Sequence, residues 1–183
     1  MTRLVVVDTN VPLAANGKAD ASSECVLACV DALMEIMTDK QSVAIDDGWR
    51  ILNEYKRKLS SSGQPGIGDQ FLKWVLTNQA NPSRCIQVSI TPHSNDKDHF
   101  EEFPNDPDLA PFDRADRKFV AVACAHSEHP PIHQALDTKW WGWKEALERA
   151  GVTVLFLCQD EIQMRYKQKF EQRRGRKRRP SRG

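Results

Sequence analysis

The run Leu4-Val5-Val6-Val7, closed at once by Asp8-Thr9-Asn10, constrains the fold of this chain more than any other stretch. An unbroken apolar run rich in valine reads as a strand buried on both faces, the habit of a parallel sheet. Such a strand delivers Asp8 to the sheet's carboxyl edge, where open α/β sheets bind ligands. A carboxylate meets no structural need there that Gly, Ser or Asn would not meet, and burying it without a partner is costly. Asp8 is therefore either a helix cap or a ligand. The choice depends on what other acids the chain sends to the same edge.

A length of 183 residues suffices for one domain around a buried sheet. The formal charge of +1 conceals a split, because ten basic residues and one acid lie from Arg165 onward. Residues 1–164 then hold sixteen basic against twenty-four acidic side chains, a net charge of −8. The five cysteines are odd in number and sit in apolar runs, so they read as reduced core residues rather than a secreted disulfide framework. No N-terminal stretch has the pattern of a signal peptide, and the most apolar run, Val152 to Cys158, is too short to span a membrane. A soluble, cytoplasmic protein is expected.

Along the chain, strands alternate with helices. Ser22 or Ser23 caps a helix whose apolar positions Cys25, Val26, Cys29, Leu33, Ile36 and Met37 follow the 3.6-residue period. Ser42 to Ile45 is a second strand ending in Asp46-Asp47, followed by a helix with Trp49, Leu52, Tyr55 and Leu59 on its core side. Glu54 lies beside that stripe, about one and a half turns in, and its bland alternative is an exposed pair with Lys58 at i+4. Cys85 to Ile90 alternates as a third strand, and Thr91 to Pro111 reads as a long, acid-rich, solvated loop.

Asp113 then opens a helix as its cap, with Asp116 one turn in and aligned with the core face of Ala115, Phe119, Val122 and Ala123. Arg117 and Lys118 are expected to point elsewhere, which leaves Asp116 in need of a cation shared with Asp8. The group Cys124, His126, His129 and His133 matches no common zinc spacing. Ile132 to Leu136 is a fourth strand ending on Asp137, a helix carries Trp140, Trp143 and Leu147, and Val152 to Leu157 is the fifth strand. The three clustered tryptophans, Trp140, Trp141 and Trp143, read as core or dimer contacts. This alternation predicts an α/β fold of three layers, α/β/α, around a five-stranded parallel sheet, with a last helix from about Asp160.

Asp8, Asp46 or Asp47, and Asp137 thus leave strand ends, and Glu54 and Asp116 sit in the following helices. Carboxylates gathered at one edge repel unless a counter-charge joins them. Mg2+ or Mn2+ supplies it, taking oxygen ligands from a few carboxylates and from phosphates. The chain has no P-loop, no GxGxxG and no GxSxG elbow that would point to other chemistry.

The motifs Val5-Val6-Val7-Asp8-Thr9-Asn10, Glu54 after the second strand, Asp116-Arg117-Lys118-Phe119 and Asp137 resemble the four-acid pattern of PIN-domain nucleases over about residues 3–160. The resemblance implies a PIN-like fold, a Mg2+- or Mn2+-dependent nuclease that hydrolyses phosphodiester bonds, most often in RNA, and a toxin or RNA-processing role. It implies Asp8, Glu54, Asp116 and Asp137 as catalytic metal ligands and Asn10 as a positioner of phosphate or water. Asp113 stands as an alternative to Asp116, and Asp46 or Asp47 as a supplement to Glu54. Around Asp137 the pattern departs, with Ala135 and Lys139 where a Thr or Ser and a second acid are usual. An antitoxin or other regulatory protein and a homodimer are the partners it implies.

Residues 161–183 read as a helix end and a basic, disordered tail, in which Arg173, Arg174, Arg176, Lys177, Arg178 and Arg179 would grip nucleic acid. The competing readings are a DNA nuclease of phage defence and a catalytically idle nucleic-acid-binding module. A receiver domain is disfavoured, since Ile90 and Gln159 stand near the places of its phosphoacceptor Asp and its Lys.

Overall fold

The computed structural model describes residues 3–177, and side chains as far as residue 172. In chain order the strands are β1 (Arg3–Val7), β2 (Gln41–Asp46), β3 (Cys85–Val88), β4 (Pro92–His93), β5 (Asp96–Phe100), β6 (Ile132–Gln134) and β7 (Val154–Phe156). The helices are α1 (Asn10–Ala15), α2 (Ser23–Met37), α3 (Arg50–Lys58), α4 (Ile67–Asn78), α5 (Arg117–Ala125), α6 (Thr138–Arg149) and α7 (Gln159–Lys177). Five of the strands form one parallel sheet in the order β3-β2-β1-β6-β7. The architecture is α/β with a parallel central sheet, compatible with three layers, as the alternation of elements predicts.

The valine run sits at the middle of that sheet. Val5, Val6 and Val7 are fully buried, paired with β2 on one side and β6 on the other, and Val43, Ala44 and Ile45 beside them are buried too. From β1 the chain steps outward to β2 and β3, then crosses to β6 and β7 on the other side. The winding reverses between β1 and β6, and at such a switch point the connections diverge and leave a crevice outside the strand ends. Asp8 follows β1 directly and Asp137 stands three residues beyond β6.

Asp46 has a structural duty. Trp49, just before α3, adopts a left-handed backbone with φ +60° and offers no capping side chain. The fully buried Asp46 carboxylate takes over, accepting from the backbone N–H of Arg50 at 2.9 Å and of Ile51 at 2.8 Å. It is therefore engaged under α3 rather than free to supplement Glu54, while Asp47 is exposed. Tyr55 ties the same helix to β1 by donating its hydroxyl to the Val7 carbonyl at 2.5 Å.

Three expectations are corrected. The segment from Thr91 onward is not a bare loop, for it folds into the antiparallel hairpin β4–β5 and a short 3-10 turn anchored by buried Phe100, Phe103, Leu109 and Phe112. Its fold is secured from outside by Arg117, which donates to the carbonyls of Ala110 (2.8 Å) and Phe112 (3.4 Å), bonds His99 Nδ1 (2.5 Å) and lies over the Phe103 ring. Burial first, then the nearby His93 and Arg117, lower the His99 pKa, which keeps the imidazole neutral and able to accept. Second, Cys25 and Cys158 are joined in a disulfide, so the cysteines are not all reduced; Cys29, Cys85 and Cys124 are free. The period of α2 places Cys25 on its buried face as read, but the closing strand–helix turn that brings Cys158 to it is a long-range feature. Third, Arg114–Asp116 is a 3-10 turn capped by Asp113, and the α-helix begins only at Arg117. Among the described residues no helix is long and apolar enough to cross a membrane.

Helix α4 lies close against α1, and Gly68 permits it. A Cβ at Gly68 would stand 2.0 Å from the Pro12 carbonyl oxygen and 2.7 Å from its carbon. Backbone cannot yield as a side chain end does, so Gly68→Ala is expected to lower stability by about 2 kcal/mol or more. A urea titration checks it: the midpoint should fall with an unchanged slope.

Candidate metal centre

Three carboxylates gather at the carboxyl edge of β1, near enough for the charges of Asp116 and Glu54 to act on Asp8. Asp8 is 1% exposed, and the Asn10 backbone N–H (2.8 Å) and side-chain amide (2.9 Å) both donate to its Oδ1. Glu54 reaches in from α3, where Thr9 Oγ1 donates to its Oε1 at 2.6 Å and Lys118 Nζ lies 2.6 Å from its Oε2. Asp116 ends the 3-10 turn, and the fully buried Trp140 donates Nε1–H to its Oδ2 at 3.1 Å.

The electrostatics reflect this crowding. Burial and then the negative charge of Asp116, with Glu54 adding, push the Asp8 carboxyl up to about 8, against the opposing pull of the Asn10 hydrogen bonds. Burial likewise lifts Asp116 to about 6, with Asp113 and Asp137 adding to the rise and Trp140 and Lys118 opposing it. At neutral pH Asp8 thus retains a proton that a cation would displace.

The other expected residues lie around this group. Asp137 caps α6, its Oδ1 accepting from the Lys139 N–H at 2.9 Å, and its charge is felt at Asp116. Asp113 is held by Lys139 Nζ at 2.7 Å and caps the 3-10 turn through the Ala115 N–H. That lysine lowers its pKa, and with both roles filled Asp113 is a poor replacement for Asp116. The two residues are coupled, not interchangeable. In the C-terminal segment, the backbone of Arg173, Arg174, Arg176 and Lys177 continues α7, whereas Arg178 and Arg179 lie outside the described residues.

Lys118 does not point elsewhere. Because the α-helix starts at Arg117 rather than Asp113, its phase is rotated, and the Lys118 ammonium turns inward, 7% exposed as a residue, onto Glu54 and the Ala115 carbonyl. Thr9, Lys118 and Trp140 are thus site residues that the linear reading did not single out. Thr9 and Lys118 stand within the motifs of Asp8 and Asp116 and Trp140 within the tryptophan cluster, but nothing local assigns them a partner.

The donors suit a hard divalent ion. They are carboxylate oxygens, the ligands that Mg2+ and Mn2+ take, and a positive charge beside the buried Asp8 would favour its ionised form. Among the described residues the only three His, Cys, Asp or Glu side chains with ligand atoms all within 4.8 Å of one another are Cys25, Cys29 and Cys158. No three of the acids come that close, so an ion here would draw on one or two carboxylates at a time and keep several waters, as Mg2+ commonly does. The same measure leaves Cys124, His126, His129 and His133 without a three-ligand group.

Comparison with known proteins gives no match: no family model fits the chain, and no curated protein or solved structure matches it.

The Asp8 pKa gives a prediction for the metal-free protein. Folding raises it from 3.8 to about 8, so the stability is full below about pH 4 and is lost as pH climbs toward 8. Asp8→Asn keeps an oxygen for Asn10 and carries no charge. In EDTA the variant should melt higher than the wild type at pH 8, with the gap closing toward pH 5, and millimolar Mg2+ should raise the melting temperature of the wild type alone.

Proposed function

We propose that this protein is a Mg2+- or Mn2+-dependent nuclease of PIN-like fold, acting on RNA. The observation that carries the reading is the gathering of Asp8, Glu54 and Asp116 at the sheet's switch point, with Asp137 beside them. Asp8 and Asp116 would hold the ion, Glu54 would complete its acidic wall, and Asp137 would join from the rim. A divalent ion there supplies an activated water and neutralises charge developing on phosphate oxygens.

The chain's own residues do the positioning. Asn10 fixes one Asp8 oxygen with two donors, so the carboxylate cannot swing. Thr9 and Lys118 hold Glu54 from opposite oxygens. Trp140 orients Asp116 while filling the core behind it. Lys118 also places a fixed positive charge where an anionic phosphodiester would lie.

A second reading is favoured by one observation. The Lys118–Glu54 pair already supplies an internal cation, which suits a catalytically idle nucleic-acid-binding module.

Cleavage of end-labelled single-stranded RNA and DNA of one sequence, with Mg2+, Mn2+ or EDTA, separates the two. The nuclease reading expects metal-dependent products, preferentially from RNA, that vanish in Asp8→Asn and Asp116→Asn. Asn10→Ala, which loosens a ligand without removing it, should cost about 10–100-fold in rate. Identical traces for all proteins, with or without metal, would leave the binding module.

A further inference from the structure

A cleft of about 590 Å3 reaches the edge of the candidate centre, for Glu54, Lys118 and the neighbouring Asp113 line it, while Asp8 and Asp116 lie behind these and outside its lining. One wall is a single face of α3, where Arg50, Asn53, Glu54 and Arg57 recur at the i, i+3, i+4, i+7 spacing. The opposite wall is built by the β4–β5 hairpin, through Lys97, Asp98 and Phe100, and by Arg114 of the 3-10 turn. Five cationic side chains line the cleft against three acids, in a body whose residues 1–164 carry a net charge of −8.

The use of those cations is uneven. Arg50 pairs with Asp46, Arg114 with Asp96 and Lys118 with Glu54. Arg57 and Lys97 are exposed and make no ion pair or side-chain hydrogen bond among the described residues. They stand on opposite walls of one cavity, in an acidic protein that has many carboxylates to offer them. Concave placement matters, because a cleft lined by one sign of charge focuses its field more than scattered surface charges do.

We propose that this cleft is the binding track for a single-stranded RNA backbone, with Arg57 and Lys97 as phosphate ligands that lead the strand to the acidic centre. The inference rests on the nuclease reading for its destination, though the cleft binds phosphate whether or not the strand is cut. Among the described residues its one aromatic lining, Phe100, is 2% exposed beneath Arg50 and is not open for base stacking. The grip is then electrostatic and sequence-tolerant. The hairpin contributes Lys97, Asp98 and Phe100 to the cleft, which gives this excursion from the central sheet a purpose.

The test measures binding of a fluorescein-labelled oligouridylate to the full chain in EDTA, across a salt series, for the wild type, the Arg57→Ala/Lys97→Ala double variant and a Lys56→Ala/Lys58→Ala control. The control removes the same charge from exposed positions of α3 that do not line the cleft. The cleft variant should bind at least about tenfold more weakly, and the slope of log K against log salt should shrink by about 1.4, two single-strand phosphate contacts. The control should match the wild type. Equal affinities and slopes for all three, or equal losses in both variants, would overturn the proposal.

Cleavage in Mn2+ is read in parallel. If the wild type cuts RNA and the cleft variant does so with unchanged KM and unchanged binding, the nuclease reading survives and the track falls. If nothing is cut while the cleft variant alone loses binding, the track stands and the nuclease reading falls.

Discussion

The structure depends on the carboxylate of Asp8, buried at the end of the central strand. Its position is set by the fully buried middle of the sheet, since Val5, Val6 and Val7 are enclosed on both faces and paired with β2 and β6. Its cost is the loss of hydration, which two donors from Asn10 to one oxygen offset only in part. The neighbouring acids make that cost larger, not smaller. A carboxyl that the core forces into the interior and surrounds with like charges calls for a proton or a cation, and in the metal-free protein it keeps the proton up to about pH 8.

The surrounding elements are shaped by that demand. Lys118 supplies one positive charge internally, and its pairing with Glu54 explains why this carboxylate is tolerated at 15% side-chain exposure. The short 3-10 turn before α5 matters here: it delays the helix until Arg117, so that Arg117 and Lys118 turn inward to different tasks. Arg117 secures the hairpin and Lys118 faces the acids. One local backbone feature therefore couples the centre to the wall of the cleft beside it.

Much of the fold was legible in the sequence because periodicity reports burial. The valine run, the capping Ser22 of α2, the alternation of strands and helices and the acids at the ends of β1 and β6 are all local patterns. The hairpin after β3 was not legible, because its strands carry Asp, Lys and His and its anchors, Phe100, Phe103, Leu109 and Phe112, follow no strand or helix period. The Cys25–Cys158 pairing spans 133 residues and has no local signature. At the site, position along strand and helix singles out Asp8 and Asp116, whereas Glu54 is named only through the resemblance of the motifs to a four-acid pattern. The partners Thr9, Lys118 and Trp140 could not be named, since each depends on a rotation or a crossing that only the folded chain defines.

Whether the acidic cluster holds a divalent ion is tested most directly by titrating Mn2+ into the wild type and Asp8→Asn while following the free-ion signal by electron paramagnetic resonance. The account predicts saturable uptake by the wild type that is lost in the variant and is competed by Mg2+. No saturable uptake, or equal uptake by both proteins, would contradict it.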